Sequence, residues 1–455
     1  MTTPQATTMP KLLIAPRRPA LLAGHDSELD VLVRVQAPDA PAEMRARPAL
    51  HLSLVIDRSG SMTGEPLAEA KRCAQFIVDG LLSTDRVSVV AYDSDVHTLA
   101  PAEPLQDRNK VRSAIHRICE GGTTNLHGGW LQGAETLAPH TRDDVISRVI
   151  LLSDGNANQG LCDANQIFRQ CTDLARAGVT TSTYGLGRAF NEDLMIGMAR
   201  HGQGSSYYGS TAADLLDPFR EEFALLNATC ARRLRLDVAP SPGVEVSMLN
   251  EYVAADATPG DEPRIPSSWS LPDLAYEGEA WAVLRLKIAK TSFAGSPASN
   301  ALLRVTVRYT GLDGEPRAIR SEPLSLEVLP ASAFNAVAED ELVARRVGEI
   351  EAARSHEQAR DAARRGDWDA VGAAISRASM VAGDNEWVQA SVRSMRDLAT
   401  GRDAGVFAKA ASFQASRMYT RLAAQDEDVS GFRKKAVAYL RRKTNQGKGE
   451  EPPPA

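Results

Sequence analysis

Asp57, Ser59 and Ser61 stand two residues apart in the run Asp57-Arg58-Ser59-Gly60-Ser61-Met62. In an extended turn, side chains at i, i+2 and i+4 line one face, so a carboxylate and two hydroxyls can converge on one point. That is a hard oxygen donor set, suited to Mg²⁺ or Mn²⁺, and the residue types alone do not separate these from Ca²⁺. Two further segments offer the same kind of group. Gly121-Gly122-Thr123-Thr124-Asn125 combines glycines, which permit close backbone approach, with threonine hydroxyls. Ser153-Asp154-Gly155 adds a second carboxylate. Each segment alone also has an ordinary reading, since Asp, Ser and Thr cap helices and Asp-Gly makes turns.

These groups can meet only if the fold brings their loops to one edge. Residues 52–56 are a short continuous apolar run, as in a strand buried on both faces. Leu67, Ala70, Ala74, Ile77 and Leu81 then recur at helical spacing. Strand signals at 87–92, 149–152 and 179–184 alternate with helix signals at Val111/Ile115/Ile118 and Ile167/Cys171/Leu174. Such alternation predicts a doubly wound, mostly parallel sheet with helices on both faces, whose binding crevice lies at the carboxyl ends of the strands. Asp57 and Asp154 both follow such strands. Asp93 and Asp95 follow another and read as a hairpin turn.

The three segments, in this order and spacing, resemble the von Willebrand factor type A domain, with its metal-ion-dependent adhesion site complete. The stretches RPALHLSLVIDRSGSM (47–62), DRVSVVAYDSDV (85–96) and RVILLSDGNANQG (148–160) are similar to bacterial A-domain proteins with flanking β-domains, a layout like that of the inter-alpha-trypsin inhibitor heavy chains. The resemblance implies that Ser59, Ser61 and Thr124 ligate a metal through their hydroxyls, and that Asp57 and Asp154 bind it directly or through water. Thr124 is the match rather than Thr123, because it stands six residues before the apolar Trp130. The resemblance also implies a coordination position left for an acidic side chain of a protein partner. The expected protein is therefore a non-enzymatic, metal-dependent adaptor without a nucleotide cofactor.

The enzymatic alternative is a Mg²⁺-dependent phosphatase of the haloacid-dehalogenase type, with Asp57 as nucleophile. That chemistry wants a second Asp two residues on as general acid. This chain has Ser59, which cannot do that work near neutral pH. His97, His116 and His127 show no metal spacing.

The rest of the 455-residue chain differs in pattern. Residues 10–47, with Leu29/Val31/Val33/Val35, and residues 231–330 alternate apolar and polar positions. They predict a β-sandwich into which an A domain at 48–228 is inserted. Residues 257–268 read as a long loop. Residues 332–443 read as a C-terminal helical region holding one tetratricopeptide-like hairpin, turned at Gly366-Asp367 before Trp368, Val371 and Ile375. Residues 431–443 form a basic amphipathic stretch, and 444–455 a disordered tail. A net charge of -6 argues against nucleic acid as partner. There is no secretory signal pattern and no apolar run of about 18 residues, so no transmembrane segment is expected. Five cysteines without CxxC spacing read as free thiols of a cytoplasmic protein.

Overall fold

The computed structural model describes residues 9–41, 47–186, 191–209, 213–255, 267–290, 301–419 and 423–424. The chain divides into two compact units, one of residues 44–229 with 310–315, the other of the flanking stretches. It opens in the flanking unit with β1 (Lys11–Pro16), β2 (Ala20–Leu22) and β3 (Ser27–Gln36).

The first unit then runs β4 (Ala49–Asp57), α1 (Glu65–Gly80), β5 (Arg86–Tyr92), β6 (Val96–Pro104), α2 (Arg108–His116) and α3 (Leu126–Leu137). It continues with β7 (Val145–Ser153), α4 (Ala164–Arg176), β8 (Val179–Leu186), α5 (Glu192–His201), β9 (Gln203–Gly209) and α6 (Ala213–Ala228). Helices α2 to α5 each start behind an Asp or Asn (Asp107, Asn125, Asp163, Asn191) whose side chain accepts from a backbone N–H of the first turn. That cap satisfies a donor the helix itself cannot.

The six strands order as β6-β5-β4-β7-β8-β9. All neighbours are parallel except the β5–β6 hairpin. Strand β4 shows why the sheet is buried on both sides. Its Leu52, Leu54 and Ile56 pack with α1 and α2 residues such as Leu67, Ile77 and Ile115. Its Val55 packs on the other face with Trp130, Ala134 and Leu137 of α3. The chain leaves β4 for β5 on one side and returns to β7 on the other. The strand order therefore reverses at β4, and a crevice opens at its carboxyl end.

The second unit continues with β10 (Thr229–Pro240), β11 (Val244–Met248), β12 (Ser268–Ser270), β13 (Leu274–Ala275), β14 (Gly278–Ile288), β15 (Ala301–Thr310), β16 (Pro316–Arg320), β17 (Leu324–Ser325) and β18 (Glu327–Leu329). One sheet orders β1-β3-β14-β11 and another β12-β10-β15-β16. The pairing of β3 with β14, in register from Ser27↔Ile288 to Gln36↔Glu279, joins strands that lie on either side of the α/β unit in the chain.

After α7 (Ala331–Phe334) come α8 (Glu341–Arg364), α9 (Trp368–Ala382), α10 (Glu386–Thr400) and α11 (Ala404–Tyr419), then β19 (Ala423–Ala424) on the edge of β14. Asp367 caps α9 as its sequence position predicts. The expectation of one lone hairpin is corrected: a second, α10–α11, follows, and α8 packs against both α9 and α11. Leu32, Trp281 and Val283 of the first sheet share a core with these helices, so sheet and helices are one unit. The basic stretch 431–443, the tail 444–455 and most of the 257–268 loop lie outside the described residues. No helix among the described residues is long and apolar enough to cross a membrane.

The helical core contains a titratable group that gives a pH prediction. His356 of α8 is buried, with Nε2 at 3.0 Å from Ser391 Oγ and Nδ1 unpartnered. Burial pulls its pKa from 6.5 to about 4. The unfolded chain therefore takes up the proton first as pH falls. The stability that neutral His356 contributes is complete above pH 6.5 and is lost between there and about pH 4. The full loss is roughly 3 kcal/mol at about 1.4 kcal/mol per unit. Urea unfolding of wild type and His356→Gln at both ends of this window should show the variant losing less. Parallel losses would show that other groups carry the acid sensitivity.

Candidate metal centre

Asp57 is the last residue of β4, and Ser153 is the last of its neighbour β7, so Asp154 starts its loop beside Asp57. The loop after β4 turns through a short 3-10 segment at Gly60–Met62, which sets Ser59 Oγ 3.2 Å from Ser61 Oγ. Asp57, Ser59, Thr124 and Asp154 are buried, and Ser61 is exposed. The donor cluster is thus dry underneath and open on one side.

Backbone and side-chain bonds tie the three loops into a closed ring. Gly121 N donates to Arg58 O at 2.7 Å and Gly60 N to Gly122 O at 3.0 Å. Ser153 Oγ donates to Asp57 Oδ2 at 2.6 Å. Thr124 N donates to Asn158 Oδ1 at 2.8 Å, and Asn158 N returns a bond to Thr124 O at 3.1 Å. Thr124 is thereby held to the loop of Asp154. Thr123 is exposed instead and bonds Ser94 Oγ and Gln159 Oε1.

Asp57 is held from several directions. Its Oδ1 accepts from Ser59 N at 2.9 Å, and its Oδ2 accepts from Tyr92 OH at 3.1 Å as well as from Ser153. Burial pushes the Asp57 carboxyl above its ordinary value, and the charge of Asp154 adds to this, against the hydrogen bonds from Ser153 and Ser59. Tyr92 in turn lies under α3. A Cβ on Gly129 would come within 2.4 Å of the Tyr92 ring, so glycine there lets the helix settle on the residue that grips Asp57.

Asp154 is the least satisfied of the donors. Its Oδ1 accepts from Asn156 N at 3.3 Å, while Oδ2 is buried with no hydrogen-bond partner. A buried anionic oxygen without a donor costs free energy unless something positive reaches it. Two carboxylates and three hydroxyls on loops tied together in this way are a donor set of the kind that a hard divalent cation takes.

The rim was only partly legible. Asp93 and Asp95 do form the β5–β6 turn, but Asp93 also accepts from Gly122 N at 3.0 Å and pairs with Arg58 at 3.0 Å. Although burial opposes it, bonds from Asp95 and Gly122 and the Arg58 charge hold the Asp93 carboxyl below its usual value. A Cβ on Gly121 would lie 1.7 Å from Asp93 Oδ2, which is why the loop needs glycine. His97 brings a ring nitrogen within 4.8 Å of ligand oxygens of Asp93 and Asp95. The oxygens of Asp93 are already used by Arg58 and two backbone donors, so this group builds the turn. His127 bonds Gln170 at 2.7 Å, and His116 is exposed. All five cysteines are free.

Comparison with known proteins identifies the fold that carries these loops. The family model "von Willebrand factor type A domain" matches residues 51–221. The uncharacterized protein sll0103 of Synechocystis sp. is 26% identical over 306 residues, 66% of this chain and 70% of that protein. Uncharacterized protein YfbK of Escherichia coli is 25% identical, over 48% of this chain and 38% of its own length. Human inter-alpha-trypsin inhibitor heavy chain H3 is 28% identical, over 38% of this chain and 21% of its own. The chain thus spans well under two thirds of these last two relatives. A von Willebrand factor type A structure from Catenulispora acidiphila shares the fold with a TM-score of 0.64 at 20% identity, covering 87% of this chain and 91% of that one. The ArnB paralog VWA2 from Sulfolobus acidocaldarius does so with a TM-score of 0.60 at 18% identity, covering 90% and 98%. With the strand order that places Asp57 beside Asp154, these matches identify residues 51–221 as a domain of the von Willebrand factor type A family.

Proposed function

We propose that Asp57, Ser59, Ser61, Thr124 and Asp154 hold one divalent cation, Mg²⁺, Mn²⁺ or Ca²⁺, and that the chain uses it to bind an acidic side chain of a protein partner. The unpartnered, buried Oδ2 of Asp154, on a loop bonded to those of Asp57 and Thr124, carries this reading. When bound, the ion supplies a Lewis-acidic point to which a carboxylate oxygen of the partner can add. The chain's own residues do the rest. Tyr92 and Ser153 fix the orientation of Asp57, Asn158 fixes Thr124, and exposed Ser61 marks the open side. The chain acts as an adaptor and not as an enzyme, and its five free thiols fit a reducing compartment such as the cytoplasm.

Calorimetry with Mn²⁺ should show one site in wild type and none in Asp57→Ala. Equal binding by both proteins would remove the assignment. Aryl phosphate hydrolysis with Mg²⁺ present should stay at the buffer rate. Turnover abolished by Asp57→Asn would instead establish the phosphatase chemistry, because that change removes the nucleophile.

A further inference from the structure

A shallow groove runs between α1 and α2 and begins at Thr63 and Gly64, two residues beyond Ser61. Its lining includes buried Leu67 and exposed Ala68. Lys71 and Arg72 line the α1 wall, and His116 and Glu120 the opposite one. The two ends differ in charge. Glu120 directly precedes Gly121, whose N–H is bonded to Arg58 O, so this acidic residue belongs to the metal end. Lys71 lies farther along α1, where its Nζ spends one donor on His116 O at 3.2 Å. Arg72 gives Nη1 to Glu69 at 3.2 Å, yet its side chain is 68% exposed.

We propose that this groove receives the stretch of partner that flanks its metal-bound acid, and that this stretch carries a second acidic residue. The inference rests on the metal-dependent reading above. The groove's lining starts two residues past Ser61, a proposed metal donor, so a chain that leaves the metal on the α1 side meets it. Near the metal Glu120 repels another acid, while farther on Lys71 and Arg72 attract one. Six residues of helix from Glu65 to Lys71 rise about 9 Å, and the turn before them adds a few more. At about 3.3 Å per extended residue, the second acid belongs roughly three to five residues from the first. The partner class is an acidic peptide segment with paired carboxylates at that separation.

The test uses the full chain and synthetic peptides of Gly, Ser and Leu that carry one Asp, or two Asp at graded spacings. Fluorescence polarisation is read in Mn²⁺ and again in chelator. The two-Asp peptide of matching spacing should bind about tenfold more tightly than the one-Asp peptide, with other spacings between them. Lys71→Glu should erase that preference and transfer it to a peptide whose second Asp is replaced by Lys. Misfolding cannot produce such a gain, and Mn²⁺ calorimetry of the variant should match wild type. Arg72 is left in place because it neutralises buried Glu69. Chelator-sensitive binding that ignores the second Asp, or that Lys71→Glu leaves unchanged, overturns the groove and spares the metal site. If no peptide binds in a chelator-sensitive way, the metal-dependent reading falls, and the groove proposal with it.

Discussion

Asp154→Ala should abolish the stabilisation of the chain by Mn²⁺ while leaving the metal-free protein at least as stable as wild type. The two effects have opposite signs because Asp154 contributes little to the fold without a cation. Its Oδ2 is buried and unpartnered, and its charge adds to the burial that raises the neighbouring Asp57 carboxyl. Removing it relieves a repulsion and a desolvation cost, on the order of 1 kcal/mol after the loss of the weak 3.3 Å bond from Asn156 N. A ligand at a hundredfold excess over its dissociation constant stabilises the folded state by about 2.7 kcal/mol, and that increment should vanish. Thermal melts with Mn²⁺ and with chelator measure both quantities. Asp154→Asn keeps an acceptor for Asn156 N and separates the turn from the charge. A variant that is clearly less stable in chelator would show that Asp154 holds the loop, not an ion.

What could be read before the structure, and what could not, follows from the range of the contacts involved. Asp57, Ser59 and Ser61 are linked by chain spacing alone, and Asp154 by its place at the end of an apolar run. Those positions depend on strand ends, which local pattern reveals. The groups that hold them are remote in sequence. Ser153 reaches Asp57 across 96 residues and Tyr92 across 35. In the sequence Tyr92 looks like any aromatic residue ending a strand, and Asn158 like one polar residue of a loop. The dual role of Asp93 was hidden because a turn residue and a clamp residue share the same local pattern.

The second helical hairpin has a different explanation. Helix α10 does carry a periodic stripe of Val388, Val392 and Met395, all buried. Helix α11 buries Ala408, Ala411, Ser412 and Ala415 beside Phe407 and Met418. Small residues allow close helix packing but leave a faint hydrophobic period. A search for a copy of the first hairpin's turn therefore passes over it.

In that helical region, Glu349→Ala should lower stability by about 3–5 kcal/mol. Glu349 is fully buried in α8, and its two oxygens accept from Arg346 Nη1 at 3.1 and 2.9 Å. Asn385 Nδ2 adds a bond of 3.0 Å to Oε1 while its Oδ1 caps α10 through Val388 N. One carboxylate therefore compensates a guanidinium that is itself 1% exposed and steadies the start of the next helix. Arg346 also lies 4.9 Å over the ring of Trp281, in the sheet beneath, so it cannot swing out to water without abandoning that contact. Truncating Glu349 removes the carboxylate that Arg346 donates to, weakens the pairing of Arg345 with it at 3.9 Å, and loosens the Asn385 cap. The pair as a whole is a different matter, because burying both charges costs nearly what their attraction returns. The double variant Arg346→Met/Glu349→Leu should therefore recover most of what Glu349→Ala loses. Urea unfolding of the three proteins reads this directly. A loss under about 1 kcal/mol for the single change would mean that water reaches the guanidinium in the variant. A double variant no better than the single one would show that Arg346 contributes through its ring contact with Trp281 more than through its charge.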